Sequence, residues 1–342
     1  MRDDKNTLRL GLAILLTLAI AACAPAATEA PATSAPAQPA EPAAPFRIAV
    51  VAPSPTNDLA FTQSMFDAVN AIAEERGNVE IAFSEGMFVV DDAAAALRDY
   101  AAQGYDLVIA HGSQYGSSLQ EIAPDFPETS FAWGTTVDTF GLDNVYAYEA
   151  RSEEGGYVNG VIAASLSQSG VIGVVGPIET GDAKLYVDGF VAGARSVDPA
   201  VEVNVNWIGS FSDVALASEA AQTHINAGAD VLTGTAQMVV GAIGVAEASG
   251  VMWFGTQSDQ SALAPDIVVA NQVYDWTGAL KQMLTQIHAG QMGAATYALT
   301  LANGGLKIAF NPGYSVPADV MASADAAIAG ISDGSITIEM GE

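Results

Sequence analysis

The chain has 342 residues, 50% of them hydrophobic, with 11 Lys and Arg against 39 Asp and Glu, a net charge of −28 and a pI near 4.1. That balance argues against nucleic acid as a partner, because phosphate binding needs clustered basic residues. It also disfavours anionic ligands, except in a pocket that escapes the global field.

In chain order, the first segment carries an export signal. Arg2, Lys5 and Arg9 form a positive start, and Leu10 to Ala22 is an uncharged apolar stretch. It is too short to span a bilayer as a free helix but suits a secretory core. It ends in Ile20-Ala21-Ala22-Cys23, which resembles the bacterial lipobox. The resemblance implies a signal peptide over 1–22 and a lipid on Cys23, the only cysteine of the chain. An uncleaved anchor, or secretion with an incidental cysteine, is the alternative. Either way the protein is expected outside the cytoplasm, lipid-anchored to the cell membrane on the first reading. Residues 23–45 are almost wholly Ala, Pro, Thr, Ser and Glu. Such a segment cannot bury a core and reads as an extended tether.

Past Pro45 the pattern is strand then helix, repeated. Strands are expected at Arg47–Ala52, Val79–Phe83, Asp106–Ala110 and Ser130–Trp133. Helices are expected between them at Leu59–Arg76, Asp91–Gln103 and near Ser117–Ala123. A second series opens with a helix at Glu153–Ser167. Strands at Val171–Val175, Val201–Trp207, Asp230–Leu232 and Met252–Gly255 then alternate with helices at Ala183–Val197, Val214–Ala227 and Val239–Ser249. Continuous apolar strands between amphipathic helices imply parallel sheets covered on both faces. Two series imply an α/β protein of two doubly wound lobes with a hinge. One lobe is expected over 46–151 plus 274–304, the other over 152–273 plus 305–342. Ligands of such sheets lie beyond the carboxyl ends of the strands. The loops Pro53–Phe61, His111–Tyr115, Gly209–Asp213, Gly234–Met238 and Thr256–Gln260 are therefore expected to line a shared cleft that closes on its ligand.

Five segments resemble those of the basic membrane protein family, the PnrA-like nucleoside receptors of ABC transporters. Asn57-Asp58-Leu59-Ala60-Phe61-Thr62-Gln63-Ser64 is similar to its D-D-x-S-F-N-Q-S segment, and Gln103-Gly104-Tyr105-Asp106-Leu107 to its Q-G-Y-D-L/V. Glu153-Glu154-Gly155-Gly156-Tyr157-Val158-Asn159-Gly160 resembles its E-E-G-x-x-x-A-G helix start. Gly209-Ser210-Phe211-Ser212-Asp213 and Ser258-Asp259-Gln260-Ser261 resemble its G-S-F/W-x-D and D-S-D-Q-S turns. The resemblance implies the type I periplasmic-binding fold and a monomer that delivers a small molecule to an ABC permease and ATPase. It also implies a base held between Phe61 and Phe211, with carboxylates on ribose hydroxyls. An aromatic face from each lobe makes closure depend on a flat ligand. Asp58 and Asp259 are the polar candidates, or else brace their own turns as caps. Asn57, Thr62, Gln257, Tyr115, Gln114, Gln237 and Trp276 complete the candidate set. Thr62 and Gln257 replace a family Asn and Asp, and Val273-Tyr274-Asp275-Trp276 looks like a subgroup with an aromatic pair. A nucleoside, a nucleobase or another flat solute such as a flavin thus remains open, as does a sugar.

Catalysis is not expected. His111, His224 and His288 lack metal spacing, no G-x-S-x-G elbow occurs, and no cofactor or metal site is read. His111 follows a strand at the cleft and reads as a hydrogen-bonding histidine. The same lobes could instead signal to a chemoreceptor or kinase, and the sequence does not separate that role from transport.

Overall fold

The structure, a computed structural model, describes residues 44–340. The expected signal peptide, the lipidated Cys23 and nearly all of the tether lie outside the described residues.

Two six-stranded sheets organise the chain. The first contains β1 (Phe46–Val51), β2 (Val79–Ser84), β3 (Leu107–His111), β4 (Ser130–Gly134), β5 (Val145–Ala150) and β11 (Ala295–Leu299), in the spatial order β11-β5-β4-β3-β1-β2. Every neighbouring pair is parallel. The second contains β6 (Val171–Gly176), β7 (Glu202–Trp207), β8 (Val231–Gly234), β9 (Met252–Gln257), β10 (Val268–Tyr274) and β12 (Leu306–Phe310), in the order β12-β10-β9-β8-β6-β7. Only the β10–β12 pair is antiparallel. The chain passes from one sheet to the other after β5, back after β10, and again between β11 and β12.

Helices cover both faces of each sheet, as parallel strands require. Side chains alternate along β1, so Ile48 and Val50 face one core while Ala49 and Val51 face another. The first core is closed by α1 (Phe61–Arg76) and α8 (Thr277–His288), the second by α2 (Val90–Ala102) and α3 (Gly116–Ile122). In the other sheet, α4 (Ser152–Leu166), α5 (Gly181–Val197) and α9 (Ala318–Ser332) cover one face. The opposite face packs on α6 (Val214–Asn226) and α7 (Val239–Ser249).

The α4–α5 contact is unusually close, and glycine makes it so. A Cβ on Gly156 or Gly160 would strike the carbonyls of Tyr186 or Phe190, and one on Gly189 or Gly193 those of Glu153 or Tyr157. The two helix backbones therefore touch, which fixes Gly181 and Asp182 at the amino end of α5 relative to Ser152 at the start of α4. The Ser152 hydroxyl donates to the Asp182 carbonyl at 2.5 Å.

Candidate functional site

The carboxyl ends of four strands from each sheet converge on one cleft of about 480 Å³, its open mouth included. From the first sheet come Pro53 and Phe61 after β1, Phe88 after β2, Gly112 to Gln114 after β3 and Thr135 after β4. From the second come Thr180 and Asp182 after β6, Phe211 after β7, Ala236 and Gln237 after β8, and Gln257 at the end of β9. No lysine, arginine or histidine is among these lining residues.

Phe61 opens α1 and is 8% exposed. One face of its ring lies on the His111 imidazole, with centroids 3.7 Å apart and planes 9° from parallel. His111 Nε2 is 3.0 Å from the Phe61 carbonyl and Nδ1 is 2.9 Å from the Tyr148 hydroxyl. A carbonyl only accepts, so Nε2 carries the proton and Nδ1 accepts from Tyr148. Burial drives His111 down to about 3, so the imidazole is neutral. The histidine is thus a rigid backing for Phe61, in keeping with its hydrogen-bonding role. Trp276 stands edge-on to both His111 and Tyr148 behind it. Phe211, on a short loop of the second lobe, is only half-buried, and its carbonyl accepts from Met238 N at 3.1 Å.

The polar end is built around Asp182. Its Oδ1 accepts from the Thr135 hydroxyl at 3.0 Å, and its Oδ2 from the Tyr274 phenol at 3.0 Å and the Gln257 amide at 3.5 Å. Burial pushes this carboxyl above its ordinary range, while the three donors pull it back. The Thr135 bond joins the two lobes. So do Ser258 Oγ donating to Ala60 O at 2.8 Å and Gln260 Nε2 donating to Leu59 O at 3.3 Å. The lobes stand closed.

Groups in and next to the lining are held at a cost. Ala236 and Gln257 of the lining have φ of 74° and 72°, and Leu59, on the loop before Phe61, has φ of 51°. A non-glycine residue in that region costs on the order of 1 kcal/mol or more, and such strain gathers at ligand clamps. Thr235 Oγ1, Gln237 Oε1 and Gln257 Oε1 are buried without a hydrogen-bond partner.

The structure thus brings together Phe61, Phe211, Gln237 and Gln257, along with Gln114. The remaining sequence candidates lie elsewhere. Asp58 accepts from the amides of Ala60, Thr62 and Gln63 and from Ser54 Oγ, which makes it the brace of the α1 start. Thr62 is fully buried with its hydroxyl 2.6 Å from that of Ser54. Asn57 is exposed on the same turn. Asp259 accepts from Ser261 N and Asn271 Nδ2 and braces its own turn. Tyr115 is buried, its hydroxyl donating to Met87 O at 2.7 Å, and Trp276 is a core residue bonded to Ser64 Oγ at 2.9 Å. Sequence reading missed Phe88, Thr135, Thr180 and Asp182. All four follow the carboxyl ends of strands (β2, β4 and β6), so the strand-end rule, applied to every strand, would have found them.

Residues 46–329 match the family described as ABC transporter substrate-binding protein, PnrA-like. The chain belongs to this family. It is an extracytoplasmic family of binding proteins, not of enzymes, and among the described residues no helix is long and apolar enough to cross a membrane. A purine-binding protein of Brucella abortus is 31% identical over 231 residues, which is 67% of this chain and 65% of that protein. The alignment therefore spans just under two thirds of that relative's length. An ABC transporter nucleoside-binding protein of Lactococcus lactis is 25% identical over 82% of this chain and 85% of its own. A solute-binding protein structure from Aeropyrum pernix superposes with a TM-score of 0.75 at 20% identity, over 87% of this chain and 94% of that one. It shows the shared type I fold.

Proposed function

We propose that this PnrA-like chain is a lipid-anchored solute receptor of an ABC uptake system that closes two lobes on a purine nucleobase or nucleoside. The observation that carries the reading is one aromatic from each lobe, Phe61 and Phe211, on a single cleft without a cationic side chain. Two such faces favour a flat ring, each contributing about 1–3 kcal/mol of stacking. The missing cations disfavour phosphorylated ligands. The printed names of the Brucella and Lactococcus relatives, purine-binding and nucleoside-binding, point the same way. Capture then proceeds by stacking, closure through the Thr135–Asp182 and Ser258–Ala60 bonds, and docking of the closed form on a permease whose ATPase drives uptake. Export and a lipid on Cys23 would hold the receptor at the membrane on a 23–45 tether.

A thermal-shift screen of purines, pyrimidines, their nucleosides, flavins, sugars and amino acids tests this reading. A ligand at a thousand times its Kd adds about 4 kcal/mol. Stabilisation by purines or their nucleosides supports the reading. Stabilisation by sugars or amino acids alone removes it.

A further inference from the structure

We propose that Asp182 sets a charge filter in the cleft, admitting neutral purines or their nucleosides and turning away those whose ring carries a negative charge. The inference rests on the purine reading above and narrows it to a charge class. Asp182 lines the cleft and is only half-buried, so its field reaches whatever fills that space. The three side chains that bond its carboxylate, Thr135, Tyr274 and Gln257, are all neutral donors. Among the described residues no Lys, Arg or His forms an ion pair with it, and none lines the cleft. A carboxylate drawn out of bulk water without a counter-ion is unusual, since buried charges are normally paired. The titratable groups around it leave that sign unchanged. Tyr274 is held neutral, because burial and then Asp182 itself push its phenol up. Glu149 on β5 feels Asp182 as a second acid and is pushed up chiefly by burial. Arg151, which acts on Glu149, is committed to Glu153 at 2.5 Å. Phe61 and Phe211 give an anion no relief, since the face of an aromatic ring is the negative side of its quadrupole. A ligand anion in this cleft therefore meets an uncompensated like charge, and in a site closed to bulk water such repulsion amounts to more than about tenfold in affinity.

Calorimetric titration of the full chain with inosine and xanthosine, from neutral to weakly acid pH, is the test. Xanthosine loses a ring proton in the weakly acid range and is an anion at neutral pH, whereas inosine stays neutral throughout. If only free bases bind, hypoxanthine and urate are compared in the same way. Affinity for the anion-forming ligand should rise at least about fivefold relative to its neutral partner as the ring regains its proton. Asp182→Asn removes the charge and keeps the bonds, because the amide nitrogen can donate to the Thr135 hydroxyl while the oxygen still accepts from Tyr274 and Gln257. The variant should show less than half of that rise. A constant affinity ratio in the unsubstituted protein overturns the inference whether or not the variant folds. A full rise in a folded Asp182→Asn protein overturns it too. If neither the nucleosides nor the free bases bind at any pH, the purine reading itself fails, which is a separate outcome.

Discussion

Phe211→Ala isolates the stacking contribution, because nothing else in the cleft depends on that ring. The loop is held by its backbone and polar side chains. The Phe211 carbonyl accepts from Met238 N, Ser210 Oγ accepts from the amides of Ser212 and Asp213, and Asp213 caps α6 through Leu216 N at 3.0 Å. None of these bonds uses the ring, which is half-buried even with the lobes closed. Truncation should leave the unliganded Tm within about 2 °C of the parent while removing one stacking face. That face contributes about 1–3 kcal/mol, so Kd for a purine should rise roughly 5- to 150-fold. Phe211→Tyr, which keeps the face, should stay within about threefold. Isothermal titration at fixed ionic strength reads both. A Phe211→Ala protein that binds within twofold of the parent would refute the two-face argument. Phe61→Ala is a poorer probe, since it also strips the cover from His111 and opens the core behind it.

Three further outcomes follow from the geometry. His111 stays neutral down to about pH 3 when folded, while the unfolded residue protonates near 6.5. The unfolded chain thus holds the extra proton between those values, so His111 lowers stability as pH falls through that window, by up to about 1.4 kcal/mol per pH unit. His111→Phe should unfold in urea with a shallower pH dependence than the parent between pH 7 and 5, and parallel curves would count against the assignment. Ser258→Ala removes an interlobe bond of about 1 kcal/mol. Ligand affinity should drop about fivefold, and X-ray scattering should show a more open form in a larger share of molecules. Gly193→Ala forces a Cβ into the Tyr157 carbonyl, so α4 and α5 must separate, at a cost of about 1–3 kcal/mol in chemical denaturation. A neutral result would mean the two helices are not in backbone contact.

The fold class was legible because most inner strands are unbroken apolar runs. Strand β3 reads LVIAH and strand β6 VIGVVG, and both are almost wholly buried. Strand β10 was not legible. Asn271 and Gln272 sit in its middle fully buried, their amides bonded to Asp259, Ser261, Ser152 and Thr256, and polar residues in a central strand erase the hydrophobic signal. Strand β5 hides for a related reason, since Tyr146, Tyr148 and Glu149 break its run. In the cleft, the positions of Phe61 and Phe211 were readable because each lies on a segment resembling a family motif. Asp182 was not, because an acid in the first turn of a helix has an ordinary explanation in the helix dipole. Only the tertiary structure sets it against Thr135, Tyr274 and Gln257. The reverse error explains Tyr115 and Trp276. Tyr115 lies on an expected cleft loop and Trp276 on a segment resembling an aromatic pair, yet both bond within the core.

The edge strand β11 has a consequence for how the chain is made. It pairs with β5 at the border of the first sheet, and α8 just before it covers that sheet's inner face, yet both are encoded after all of β6 to β10. A nascent or translocating chain therefore carries β1 to β5 with one border unpaired and one apolar face covered by α1 alone until synthesis passes α8 and reaches Leu299. An open border of this kind is a template for wrong partners. The lobe that is written first is thus completed only after most of the second has been made, and anything that holds the emerging chain apart from its copies protects the first lobe during that interval.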